Sequence, residues 1–177
     1  MPSWLARFFA RLHREDQVTR RMFRPATFKQ SCTVFINRSG EPAIVVAQHY
    51  NGPRGFLVED ESPIVLPEVD PPEALGTAVL AALRATSIRA ARNYRNRKLT
   101  DWPAFRASGA RSVRAFEQDF IRLHISGASS ANIIYGIEGW PNKNARLRVT
   151  REVSTGSPAA MGEACIDVWR ACRDRAV

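Results

Sequence analysis

Lysine, histidine and cysteine are scarce in this chain of 177 residues, and no apolar run approaches the roughly 20 residues that a membrane-spanning helix needs. The lysines are Lys29, Lys98 and Lys143 alone, so the net charge of +9 is carried almost wholly by arginine. Cys32, Cys165 and Cys172 are odd in number and show no C-x-x-C spacing, which argues against a disulfide framework or a metal site. Cys165 and Cys172 sit where one helix face would pack them, and all three read as buried thiols in a reducing compartment. Arg7 and Arg11 interrupt the apolar stretch that a signal peptide requires, so the expectation is a cytoplasmic protein. His13, His49 and His124 have no second ligand at metal spacing. No nucleophile elbow, phosphate-binding glycine loop, dinucleotide fingerprint or H-E-x-x-H appears. These absences point to a protein that binds rather than catalyses, without a cofactor.

What is present is a strand-then-helix pattern, written twice. Residues 3–14, SWLARFFARLHR, first set Trp4, Leu5, Phe8, Phe9 and Leu12 against Arg7, Arg11 and Arg14 at helical spacing. This amphipathic helix would dock on the domain, on a partner or on a membrane surface. From Cys32 to Leu66 the runs CTVFIN, AIVVAQHY, FLVE and PIVL alternate with short turns, as in an antiparallel meander. Pro71 and Pro72 then open a helix in which Leu75, Val79, Ala82 and Leu83 share one face. Residues 87–114 are polar and rich in arginine, and read as a surface connector, helical near its start and loop after it. FIRLHIS, NIIYGIEG and ARLRVTREV follow as strands, and a helix over residues 158–173 closes the chain. The organisation is a single domain over residues 1–177: an arm (1–31), a first half (32–86), the connector (87–114) and a second half (115–177). The fold class is α+β, a mainly antiparallel central sheet of about six strands with two packed helices and the N-terminal helix outside.

The two helices align without gaps. Residues 72–85 match residues 158–171 at Pro, Ala, Gly, Ala, Arg and Ala, and the pairing of Gly76 with Gly162 suggests a weak internal duplication. Glycine inside a helix costs about 1 kcal/mol relative to alanine, so its recurrence implies a close approach, here expected between helix and sheet.

Charge is distributed unevenly. Residues 84–114 carry nine basic groups against Asp101 alone, whereas Glu59, Asp60, Glu61, Glu68, Asp70 and Glu73 fall in one run without a base. Guanidinium groups bind carboxylates and phosphates bidentately, and aromatic rings fill partner pockets or stack on bases. The candidate partner-binding residues are therefore Glu59, Asp60, Glu61, Glu68 and Asp70 in the acidic run, and Arg89, Arg92, Arg95, Arg97 and Trp102 in the connector. The arginines either pair with the acidic run, or face an acidic protein, or face nucleic acid.

The hairpin VFINRSGEPAIVVAQHY, the segment GFLVEDESPIVLPE and the helix EALGTAVLAAL together resemble the immunity proteins of bacterial contact-dependent growth inhibition systems, over residues 32–86. The resemblance implies a cytoplasmic protein that binds a cognate toxin domain, often a nuclease acting on transfer RNA or DNA, and occludes its active site. It carries over no catalytic residue. The chain departs from the picture of an acidic decoy, since its net charge is +9. That departure leaves two uses for the surface: a local acidic or mixed patch, or arginines set against acidic residues of the toxin. The alternative is a nucleic-acid-binding accessory protein that uses the arginine-rich connector.

Overall fold

The computed structural model describes residues 29–52, 55–93, 96–128, 131–142, 148–154 and 157–175. The helix expected over residues 3–14, together with Arg95, lies outside the described residues. Eight strands form one sheet: β1 (Ser31–Asn37), β2 (Ala43–Asn51), β3 (Leu57–Glu59), β4 (Ile64–Leu66), β5 (Ile88–Arg89), β6 (Phe120–Gly127), β7 (Ile134–Trp140) and β8 (Val149–Ser154). The spatial order is β3-β2-β1-β6-β7-β8, with every neighbour on this path antiparallel. β4 pairs with the start of β2, and β5 runs parallel to its end. The fold is thus the α+β arrangement of the sequence reading, with the two short strands β4 and β5 beside a six-strand path.

Side chains alternate across the pleat, so the two faces of the sheet are distinct. Cys32, Val34 and Ile36 of β1, Val45 of β2, Ile121, Leu123 and Ile125 of β6, and Ile137 of β7 all bury one face. Helices α1 (Pro72–Ala85) and α4 (Pro158–Asp174) cover it. Leu75, Val79, Ala82 and Leu83 are buried in α1, as their spacing dictates. Pro72 suits the first turn of α1, and Ser157 caps α4 by accepting the Ala160 backbone N–H at 3.1 Å. The three cysteines are free and buried in this layer; burial raises the Cys32 thiol and pushes Cys165 up to about 12.

Gly76 and Gly162 do mark a close approach, but between the two helices rather than between helix and sheet. A Cβ on Gly76 would fall inside contact distance of the Pro158 carbonyl oxygen, and one on Gly162 inside that of the Pro72 carbonyl. The contact is reciprocal, residue for residue of the alignment. Together with the mirrored strand order it sets the two halves about a common centre, between β1 and β6 below and the two glycines above.

The connector differs from expectation. Thr86 ends α1 because its hydroxyl donates to the Ser31 carbonyl at 3.0 Å and accepts the Ser31 N–H at 2.9 Å, which ties the chain to β1 instead of continuing a helix. Helices come later: α2 (Pro103–Ser108) starts on a proline and ends on Gly109 at φ 68°, and α3 (Val113–Asp119) is capped by Ser112. α3 therefore runs across the boundary expected at residues 114 and 115. These two helices lie on the second face, where Phe35, Ile44, Val46, Phe116 and Phe120 form a separate apolar cluster. Phe116 stands at its centre, with ring centroids 5.1 Å from Phe35, 5.0 Å from Trp102 and 4.9 Å from Phe120.

Candidate functional site

Two places gather polar chemistry. The first is the edge of the sheet beyond β3, where the acidic run meets the connector. Arg89 binds Asp60 at 2.6 Å, Arg97 binds Glu61 at 2.8 Å, and the Trp102 indole N–H donates to Glu59 at 2.7 Å. Of the three fates open to the connector arginines, Arg89 and Arg97 take the first, pairing with the acidic run. Trp102 is likewise engaged inside the molecule, its ring packed edge-on against Phe35 and Phe116. Arg92 is exposed and held through its backbone, whose N–H donates to the Asn51 side-chain oxygen at 2.7 Å and whose carbonyl accepts from the Asn51 amide at 3.0 Å. Glu68 and Asp70 are exposed on the approach to α1, apart from these pairs.

Behind that edge lies a chain of three hydrogen-bonded groups. His49 Nδ1 meets the Ser87 hydroxyl at 2.9 Å, and Nε2 meets Asp60 at 2.7 Å. The order of residue types matches a nucleophilic triad, but the His49 side chain is 1% exposed and Ser87 lines neither cavity described below. Its role here is to fasten β2 to the chain leaving α1 and to the turn after β3. Burial lowers the His49 pKa, and the Asp60 bond only partly offsets this. Burial would raise Asp60, but the Ser62 backbone N–H, His49 and Arg89 outweigh it and hold the carboxyl below its usual range.

The second place is the open half of the second face. The register sets Ile44, Phe35, Arg122 and Trp140 in one row across four strands, and Val46, Thr33, His124, Glu138 and Thr150 in the next. Helices α2 and α3 cover the β2–β1 end of these rows. Beside them remains a cavity of about 470 Å³ lined by Phe35, Trp102, Phe116, Arg122, His124 and Trp140. A second cavity of about 370 Å³ shares Trp102 and Arg122 and adds Glu59, Arg97, Lys98 and Leu99. His124 is half-buried, and its Nδ1 has no hydrogen-bond partner among the described residues. Burial lowers its pKa, with the Arg122 charge adding to the effect and Glu138 opposing it. Burial raises Glu59 despite its hydrogen bond from Trp102, the charge of Arg122 and the Ala104 backbone N–H. Arg122 acts on Glu59 and His124 through space, without a direct hydrogen bond to either.

Arg122, Glu138 and Trp140 were not among the residues singled out from the sequence, and His124 was considered only as a lone histidine without a second ligand. Alternation in FIRLHIS does put Arg122 and His124 on one face; which neighbours leave that face uncovered is a property of the fold. Trp140 ends β7 in register with Arg122. Among the described residues no three His, Cys, Asp or Glu side chains are grouped to hold a metal ion.

No protein-family model matches the chain, and no curated protein matches it. Among solved structures, a protein of unknown function, NMB0488 from Neisseria meningitidis, superposes with a TM-score of 0.63 at 18% identity. The match covers 82% of this chain and 96% of that one. The two share a fold. At this identity the likeness shows the architecture alone.

Proposed function

We propose that this chain is an immunity protein, which binds the toxin domain of a contact-dependent growth inhibition system in the cytoplasm and blocks its active site. The observation that supports this most is the edge beyond β3, where runs of opposite charge from distant parts of the sequence interleave. Exposed ion pairs such as Arg89–Asp60 and Arg97–Glu61 each contribute only about 0–1 kcal/mol. A partner presenting both signs can exchange them for its own contacts at little loss, and complementary charge would speed encounter and select the cognate toxin. This resolves the tension between a net charge of +9 and a family pictured as acidic: the contact is local and mixed, whatever the total. Among the described residues no helix is long and apolar enough to cross a membrane.

Co-expression with the toxin domain encoded beside it, followed by co-purification and a growth assay, tests the reading. A complex with restored growth supports it, and Glu61→Lys together with Arg97→Glu should weaken that complex. Absence of both complex and protection would end it.

A further inference from the structure

We infer that the cleft on the second face binds a small ligand joining a planar aromatic ring to an anionic group, with the size and chemistry of a nucleoside monophosphate. The inference does not require toxin binding, which is proposed for the edge of the sheet beyond β3, although Glu59, Arg97 and Trp102 belong to both places.

Three observations carry it. The first cavity, about 470 Å³, lies in the range of small-molecule sites; half-buried Trp102 and Trp140 wall it above a floor of buried Phe35 and Phe116. Such walls accept a planar ring by stacking or edge contact. Second, Arg122 stands on the boundary between the two cavities, is exposed, and makes no direct bond to Glu59 or His124. A guanidinium placed in this way offers a fork of donors to a phosphate or carboxylate. Lys98 and Arg97 also line the second cavity and add positive charge near Arg122, Arg97 being shared with Glu61. Third, His124 lines the first cavity, and its Nδ1, itself closed to solvent, has no partner among the described residues. An imidazole in the wall adds a polar edge that suits a heteroaromatic ring better than a purely apolar one.

The acidic groups nearby do not cancel this. Glu138 is engaged by Arg148 at 3.1 Å and Arg97 pairs with Glu61 outside the cleft. Glu59 is turned to the Trp102 indole and the Ala104 backbone N–H. Glu117 lines the cavity wall and has its own contacts.

The ligand chemistry has two sources, a free mononucleotide or the phosphorylated end of an RNA strand. Isothermal titration of the full chain would use AMP and UMP, adenosine as ring without anion, inorganic phosphate as anion without ring, and a short RNA with a terminal phosphate. Tryptophan fluorescence would be followed in parallel. Saturable binding of a monophosphate is expected, with adenosine and phosphate each weaker by about tenfold or more, because ring and anion contacts reinforce each other. Arg122→Gln should weaken monophosphate binding by about tenfold, the loss of one charge-assisted fork. Arg170→Gln, exposed on α4 across the sheet, should leave it unchanged. Tighter binding of the RNA than of the mononucleotide, still lost in Arg122→Gln, identifies a strand end as the ligand; equal or weaker binding identifies the free nucleotide. No saturable binding of any nucleotide at millimolar concentration overturns the inference, as does binding that Arg122→Gln leaves intact while thermal unfolding shows that variant folded.

Discussion

Replacing Gly76 with alanine tests the helix-to-helix contact directly, because two effects of opposite sign compete there. In an exposed helix the change stabilises by about 1 kcal/mol, since alanine is the better helix former. Here the new Cβ would meet the Pro158 carbonyl and the Gly162 backbone nitrogen, neither of which can rotate aside as a side chain would. Whole helices must shift, and overpacking of this kind costs about 1–3 kcal/mol and occasionally more. With the obstruction made of backbone, the upper part of that range applies, and the net expectation is destabilisation by about 1–2 kcal/mol, or roughly 2–8 °C in melting temperature for a domain of this size. Gly162→Ala meets the Pro72 carbonyl and should cost a similar amount. Both variants push the same two helices apart, so the double variant should lose less than the two losses added. Gly136→Ala is the control: nothing lies within 4 Å of its added Cβ, and it should be neutral or slightly stabilising. Urea unfolding followed by circular dichroism measures all four. If Gly76→Ala or Gly162→Ala raises stability, as in a free helix, the reciprocal packing is wrong.

Other consequences concern the buried polar groups. His49→Ala removes both bonds of the Ser87–His49–Asp60 chain and leaves a cavity, so a loss of about 2–4 kcal/mol is expected in the same unfolding assay, and Ser87→Ala should cost less. Trp102→Phe keeps the ring against Phe116 but takes the indole N–H from half-buried Glu59; about 1–2 kcal/mol should be lost, and the Glu59 carboxyl, followed by NMR titration, should rise further. Stability should also depend on pH. His49 and His124 both have folded pKa values below the ordinary 6.5, so their contribution is complete above that value and is lost as pH falls through the folded values. Glu59 acts in the opposite sense, since its raised carboxyl favours folding below 4.5 and loses that contribution as pH rises through its folded value. Denaturation midpoints should therefore begin to drop just below pH 6.5, and a midpoint that stays level there in a Glu59→Gln variant, where the opposing carboxyl is absent, would refute the lowered pKa values of the two histidines.

Much of this architecture is legible in the sequence. The apolar spacing of Leu75, Val79 and Leu83, the prolines that open α1 and α4, and the alternation of FIRLHIS each obey local rules, and local rules held. The close approach at the two glycines was visible too, although its partner was misread because a helix interior glycine reports closeness without saying to what. The connector failed for a physical reason. Its arginines and alanines favour helix in isolation, but Thr86 gives its hydroxyl to β1, and the ring cluster around Phe116 draws the later residues over the second face instead. The candidate residues fared likewise: opposite charges legible as two runs turned out to neutralise each other at Asp60 and Glu61, while Arg122, His124 and Trp140 became a set only through strand register.

That register has a kinetic side. Along the path of the sheet every pairing except one joins strands close in sequence; the exception is β1 with β6, where Ser31 faces Ser126 and Asn37 faces Phe120. The cost in chain entropy of forming non-local structure is therefore concentrated in a single seam. Each half can assemble its own meander and helix cheaply and early, whereas the seam, and the glycine contact above it, wait on a chance meeting of the two. Substitutions confined to β2–β3 or β7–β8 should alter mainly the speed of unfolding if the seam limits the rate, while substitutions at Val34 or Leu123 should slow folding itself.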